Sequence, residues 1–510
     1  MLYKNPIIPG FHPDPSICRV GDDYYLVNST FEYFPGIPVF HSRDLVNWKQ
    51  IGHCISRKSQ LNLMEGAPNA AGLYAPTIRY SNGVFYVICT NVTHGDGGGG
   101  NFFVWTKDIN GEWSNPIWLD LPGIDPSLFF DDDGSVYYTG THNIIYLCKI
   151  DLKTGQILRE PKEIWEGSGG NNPESPHIYK INGWYYLLIA EGGTELCHMV
   201  TIARSKNIEG PYESCPRNPI LTNRSKASSI KAVGHADFVQ DQNGNWWAVC
   251  LGIRPISYPF RHNLGRETML VPLTWDKDGW PIIGEDGFLA DEIETSLLPT
   301  NPQYQEIMKD KNIIFKDYFQ KPVLDLSWNF IYHPIDESWE IGPGGLTLFG
   351  NGVSLSEAKA LTWIGRRQEH IECTASSLLC FRRDKNGDEA GLTIYMNNLH
   401  HYEMALTRLD GQNCLIFRRQ IGSLWKIENV IPYESDEIEL ELQAVQGLYI
   451  FRYKHKGILT EIGRGEAQYL TTEVGGFFTG NYIGLYASGN GSECHNGATF
   501  KWFEYNGVNG

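Results

Sequence analysis

Asp125-Pro126-Ser127-Leu128-Phe129-Phe130-Asp131-Asp132-Asp133-Gly134-Ser135-Val136-Tyr137-Tyr138 reads as a short apolar strand, a tight Asp-Gly turn and a second strand led by an aromatic pair. The same grammar occurs five times. The other copies run from Asp14-Pro-Ser-Ile to Tyr24-Tyr25, from Ala75-Pro-Thr-Ile to Phe85-Tyr86, from Glu174-Ser-Pro-His-Ile to Tyr185-Tyr186 and from His235-Ala-Asp-Phe to Trp246-Trp247. Pro15, Pro76, Pro126, Pro176 and Ala236 mark equivalent places, 61, 50, 50 and 60 residues apart. Each interval is long enough for a four-stranded blade, so the spacing predicts an all-β chain whose residues 1–295 form a five-bladed β-propeller.

Blades pack around an axis, and the start of each innermost strand opens onto one end of the central channel. Asp14, Asp125, Glu174 and His235, which share one place in the repeat, are therefore expected to converge there, with Ala75 as the non-ionisable contribution of the second blade. A single Asp-Pro is explained by a turn. Carboxylates recurring at the inner end of several blades are not, and they nominate a site.

Outward from the repeat, Asn182-Gly183, Asn243-Gly244, Asp278-Gly279 and Asn386-Gly387 supply further hairpin turns, and helical periodicity is scarce. The aromatic-pair pattern stops near residue 295. Residues 296–311, including Leu298-Pro-Thr-Asn-Pro, read as a linker. From 312 to 510, segments such as Glu437-Ile-Glu-Leu-Glu-Leu-Gln-Ala-Val alternate apolar and polar residues, as sheets with one wet face do, which suggests a β-sandwich.

The 510 residues carry 42 Lys+Arg and 59 Asp+Glu, a net charge of −17, which repels phosphate backbones and anionic lipid. No nucleic acid and no membrane partner is expected. No apolar run approaches the roughly 18 residues of a span. The opening Met1-Leu-Tyr-Lys-Asn-Pro-Ile-Ile-Pro-Gly lacks the unbroken apolar stretch of an export signal. Eleven scattered cysteines, without a Cys-x-x-Cys pair, read as reduced thiols. A cytoplasmic location follows, with a sugar or peptide substrate arriving as a short fragment. Subunit number, including a homo-oligomer, is left open.

Three carboxylates and an imidazole brought together cannot all ionise at neutral pH, so one should keep its proton. A protonated group that donates to a leaving oxygen, beside an ionised one that takes a proton from water, is what glycosidic hydrolysis requires.

Gly10-Phe-His-Pro-Asp-Pro-Ser16, Gly123-Ile-Asp-Pro-Ser127, Pro173-Glu-Ser-Pro-His177, Gly234-His-Ala-Asp237 and Leu264-Gly-Arg-Glu-Thr268 together resemble glycoside hydrolase family 43. The second domain resembles the sandwich carried by its β-xylosidase and α-L-arabinofuranosidase members. The resemblance implies that Asp14 is the general base, Glu174 the general acid, and Asp125 the group that orients Glu174 and raises its pKa. It implies inversion, with the two reacting carboxyls roughly 6.5–9.5 Å apart. It places Arg266 at the sugar hydroxyls or the Asp125 carboxylate, against the alternative of a surface arginine paired with Glu267. His235 resembles a histidine beneath the sugar, where some relatives hold a calcium ion; a buried histidine satisfied by hydrogen bonds is the alternative. No cofactor is required for the chemistry itself. Phe31 and Tyr74 resemble positions lining the terminal-sugar site, with Tyr74 standing where many members have Trp. Phe478, in Gly475-Gly-Phe-Phe-Thr-Gly480, resembles an aromatic reaching across from the second domain to close the pocket, so that chain ends are trimmed.

The expected activity is exo-acting, inverting release of terminal β-1,4-xylose, α-L-arabinofuranose or both from xylo- and arabinoxylo-oligosaccharides. An arabinan-degrading member and a non-catalytic propeller lectin are the alternatives. The fructosyl-specific five-bladed glycosidases are disfavoured because their opening motif is absent. The glycines 97–100 lack the Lys-Ser/Thr of a phosphate loop, and Asp131-Asp-Asp-Gly and Asp276-Lys-Asp-Gly are too short for calcium loops.

Overall fold

The computed structural model describes residues 1–93, 100–302 and 314–508; residues 94–99 of the glycine-rich stretch and 303–311 of the expected linker lie outside them. Five four-stranded antiparallel sheets follow one another along the first part of the chain. Their innermost strands are Ser16–Val20, Thr77–Ser81, Ile124–Phe130, Glu174–Ile181 and Lys231–Gln240. Each turns back through a tight hairpin onto the strand led by the aromatic pair. In the third blade the Asp131 amide donates to Ser135 O at 2.9 Å and Gly134 takes a φ of +83°, a conformation open to glycine.

Each innermost strand touches the next, and the fifth touches the first, so the blades close into a ring. The seams between blades carry the cores. Tyr186, Leu188 and Ile202 of the fourth blade pack against Phe238, Cys250 and Val271 of the fifth, for example. The N-terminal strand Leu2–Lys4 pairs with Glu292–Glu294, beyond the fifth blade, and latches the ring.

The rest is a two-sheet sandwich of eight and six strands. Burial alternates along Cys373–Cys380 and Glu437–Val445 of the larger sheet, as the apolar period requires. The six-stranded sheet is different. Glu389–Asn397 and Tyr482–Ser488 are buried at every residue, because this sheet packs its second face on the propeller. Tyr33 stacks on Tyr482 at 4.0 Å, and Tyr33–Phe34 forms a short ladder with Phe330–Ile331. Propeller and sandwich therefore share one apolar core at this seam.

The channel is plugged. Asp237 of the fifth blade accepts from Ser16 Oγ (2.6 Å) and the Ile17 amide (3.1 Å) of the first, Arg79 Nη1 (2.8 Å) and Nη2 (3.2 Å) of the second, and Tyr179 OH (2.5 Å) of the fourth. Arg79 Nη2 lies 2.9 Å from His177 Nδ1, which stands 3.1 Å from Ser127 Oγ of the third. One polar network thus ties all five blades at the axis.

Candidate active site

Asp14, Phe31, Tyr74, Ala75, Asp125, Glu174, His235, Arg266 and Phe478 line one small cavity of about 80 Å³ at the channel mouth, together with Ile124 and Thr194. Every nominated side chain is in that set. The local backbone explains how they get there. Asp14, Asp125 and His235 take left-handed φ values of 52°, 54° and 50°. In the third, fourth and fifth blades the ladder between the two inner strands shifts register at this end of the inner strand. Such bulges turn a side chain out of the alternation of the strand and aim it along the channel. Gly123 makes room for this, since a Cβ there would lie 1.8 Å from Thr141 O.

One expectation needs correcting. Glu174 does not share the repeat place of Asp14 and Asp125: the left-handed residue of the fourth blade is Ser175 (φ 55°), directly before Pro176 as Asp14 and Asp125 precede Pro15 and Pro126. Glu174 sits one residue earlier, paired across the hairpin with Ala190. The offset gives it a different direction from the two aspartates and leaves its side chain 19% exposed, against 5% for Asp14.

Arg266 lines the same pocket, but its carboxylate partner is Asp14 and not the expected Asp125. It is buried, and its Nη1 donates to Asp14 Oδ1 at 2.7 Å and to Thr194 Oγ1 at 3.2 Å, instead of to Asp125. Ring closure makes the fifth blade a neighbour of the first, which puts Arg266 beside Asp14. Glu267, the partner in the alternative reading, is taken by Arg254 at 2.7 and 2.8 Å.

The carboxyls are driven apart electrostatically. Burial works against ionisation of Asp14, but the Arg266 guanidinium and a hydrogen bond from Ser29 Oγ hold it below the usual carboxylate range, with His235 Nδ1 3.6 Å from Asp14 Oδ1. Asp125 goes the other way. Burial, then the neighbouring Glu174 and Asp14 charges, push it well up, and the Ser175 amide at 3.1 Å offsets only part of this. Asp125 is thus driven to keep its proton beside Glu174 and next to an ionised Asp14.

Phe31, Tyr74 and Phe478 form an aromatic wall, with ring centroids 5.1 to 6.2 Å apart and the Arg266 guanidinium 5.7 and 5.5 Å from Phe31 and Phe478. Phe478 comes from the sandwich. Its loop is docked by the Asn481 amide on Asn263 O (2.9 Å) and by Glu473 on His262 (2.7 Å), and a Cβ on Gly480 would lie 2.3 Å from Leu264 O.

The protein groups beside His235 supply calcium with few free oxygens. Calcium takes six to eight oxygens. The carboxylate beside His235 is already held by Arg266 and Ser29, the Arg79 cation occupies the channel plug, and no group of three His, Cys, Asp or Glu among the described residues is arranged for a metal. Burial lowers the His235 pKa, leaving a neutral ring.

Sequence reasoning missed Thr194, Ile124 and His198. His198 Nε2 is 3.6 Å from Glu174 Oε1. It lies before the third strand of its blade, outside the inner-strand repeat, and nothing in Leu196-Cys-His-Met199 marks it.

Residues 3–281 match Glycosyl hydrolases family 43, and residues 316–506 match the Beta xylosidase C-terminal Concanavalin A-like domain. The chain is 42% identical to a non-reducing end α-L-arabinofuranosidase of Bacteroides ovatus over 99% of its own length and 94% of that protein. It is 38% identical to a xylosidase/arabinosidase of Butyrivibrio fibrisolvens, over 99% of both. A solved family 43 structure from a Bacteroides ovatus xyloglucan locus superposes with a TM-score of 0.94 at 40% identity, covering 100% of both chains. With three carboxyls at the mouth of a five-bladed propeller and a matching sandwich behind them, this chain belongs to glycosyl hydrolase family 43.

Proposed function

We propose that the enzyme removes terminal β-1,4-xylose, α-L-arabinofuranose or both from xylo- and arabinoxylo-oligosaccharides, with inversion at the anomeric carbon. The observation that carries this reading is the split between the ionised Asp14 and the proton-holding Asp125, with Glu174 beside them in one small pocket. Asp14 takes a proton from the attacking water, Glu174 gives one to the departing oxygen, and Asp125 keeps that proton available and orients Glu174. Arg266 fixes Asp14 and, with Phe31, Tyr74 and Phe478, holds the sugar; His235, neutral, lines the floor of the pocket beside Asp14.

Exo action is supported by the cavity, which at about 80 Å³ is far below the roughly 300–1,000 Å³ of sites for larger ligands. Phe478 walls it where an open groove would suit arabinan chains. The xylosidase and arabinofuranosidase activities of the two relatives support the pair of sugars. All eleven cysteines are free thiols, which supports a reducing compartment and short imported substrates. Among the described residues no helix is long and apolar enough to cross a membrane.

Nitrophenyl β-xyloside and nitrophenyl α-arabinofuranoside assayed side by side, with and without a chelator, test the reading. Turnover of at least one, unchanged by the chelator, with α-xylose as the first product by NMR, is expected. β-Xylose as the first product excludes inversion, and binding without turnover returns the lectin.

A further inference from the structure

His198 is fully buried and stands one residue before the strand Met199–Ser205 of the fourth blade. Its Nδ1 lies 3.1 Å from Ala232 O. A carbonyl oxygen only accepts, so Nδ1 carries the hydrogen, and in the neutral ring Nε2 carries the lone pair. The ring's orientation is held sterically as well: a Cβ on Gly234 would come within 2.4 Å of the ring, so the imidazole is packed against bare backbone.

Nε2 is sealed from solvent and has no hydrogen-bond partner in the protein, yet it faces Glu174 Oε1 at 3.6 Å. A buried acceptor left unsatisfied costs about 1–3 kcal/mol. The group facing it becomes a donor when Glu174 is protonated.

We propose that His198 is a positioning residue for the acid, its Nε2 lone pair accepting the hydrogen bond of protonated Glu174 and keeping that carboxyl loaded and aimed until substrate binds. The proposal rests on the reading of Glu174 as general acid. In turnover the Glu174 O–H bond breaks as its proton passes to the glycosidic oxygen, whose bond to the sugar breaks, leaving Glu174 as carboxylate. Lone pair then faces carboxylate oxygen, an arrangement relieved when Glu174 takes a new proton from water at the open mouth. A hydrogen bond to the neutral form of an acid favours that form.

The test pairs two substitutions with two leaving groups. His198→Asn keeps a donor for Ala232 O but has nothing at the Nε2 position; His198→Gln reaches that position with an amide oxygen. On xylobiose or the matching arabinofuranosyl oligosaccharide, His198→Asn should lower kcat about tenfold, the worth of one such bond, with KM unchanged. On the dinitrophenyl glycoside, whose leaving group needs no proton, kcat should hold within about twofold. That activity also reports a folded site. His198→Gln should recover most of the loss. Equal loss on both substrates, or none, overturns the proposal. Glu174→Gln, run in parallel, should show the same selectivity more strongly; if it does not, the acid assignment fails irrespective of His198. Neutron diffraction of the unaltered enzyme should show hydrogen on Nδ1 and none bound to Nε2, with the Glu174 hydrogen directed at Nε2. Hydrogen bonded to both ring nitrogens overturns the proposal without any variant.

Discussion

Asp125 and Asp237 stand on the innermost strands of two blades of the same propeller, both buried, and they titrate in opposite directions. Asp237 accepts five hydrogen bonds, two of them from the Arg79 guanidinium. Burial alone would raise it, but Arg79, His177 and those donors bring its pKa well below the usual range. Asp125 has the Ser175 amide and otherwise faces Glu174 and Asp14, so its pKa rises. Burial is common to both. The partner set separates a carboxylate held ionised among donors that tie the blades together from one driven to keep its proton.

The sharpest way to break this comparison is Asp14→Asn, which removes the ionised member of the poised cluster. Steady-state rates should fall by about 10³–10⁴-fold on aryl glycosides and oligosaccharides alike, because every substrate needs the activated water. Near-native rates would mean that the mouth cluster is as structural as the plug. Next, Asp237→Ala leaves Arg79 buried and unpaired, and denaturant titration should show a loss of about 3–5 kcal/mol. Asp125→Asn should instead keep stability and lose about 10²-fold in kcat. An exchange of these two phenotypes would reverse the assignment of the clusters.

Glu32 extends the rule to a carboxyl without a counter-charge. It lies at the seam with the sandwich, accepts the Ala70 amide at 3.2 Å, leaves Oε2 unpaired, and is pushed by burial up to about 7. An unfolded glutamate titrates at about 4.3. Between those two values the folded protein keeps a proton that the unfolded chain has lost, so stability should fall as pH rises from about 4 to about 7, by about 4 kcal/mol in all. Denaturation midpoints at pH 5 and pH 8 check this, and Glu32→Gln should flatten the difference; an equal slope in both proteins removes Glu32 as its source. The smallest effect is expected for Phe478→Ala, which opens the wall without touching a carboxyl and should raise KM about tenfold with kcat less affected. Unchanged kinetics would make the sandwich a bystander to the pocket.

The repeat Asp-Pro-strand-turn-aromatic pair by itself determined the propeller and which end of each inner strand bears Asp14, Asp125 and His235. Strand period, hairpin turn and blade length are local properties, written within some sixty residues. The alternation along Glu437–Val445 likewise announced a sheet with one wet face. Tertiary structure alone decided the rest. Arg266 and Asp14 are 252 residues apart and meet because the ring closes; Phe478 reaches the pocket at the channel mouth because its loop docks on Asn263 and Leu264. The one-residue offset of Glu174 depends on which residue of a bulge takes a left-handed φ, and the His198 contact on a third strand that follows no repeat. Such contacts are set by how elements pack, and no local pattern in the chain encodes packing partners so distant in sequence.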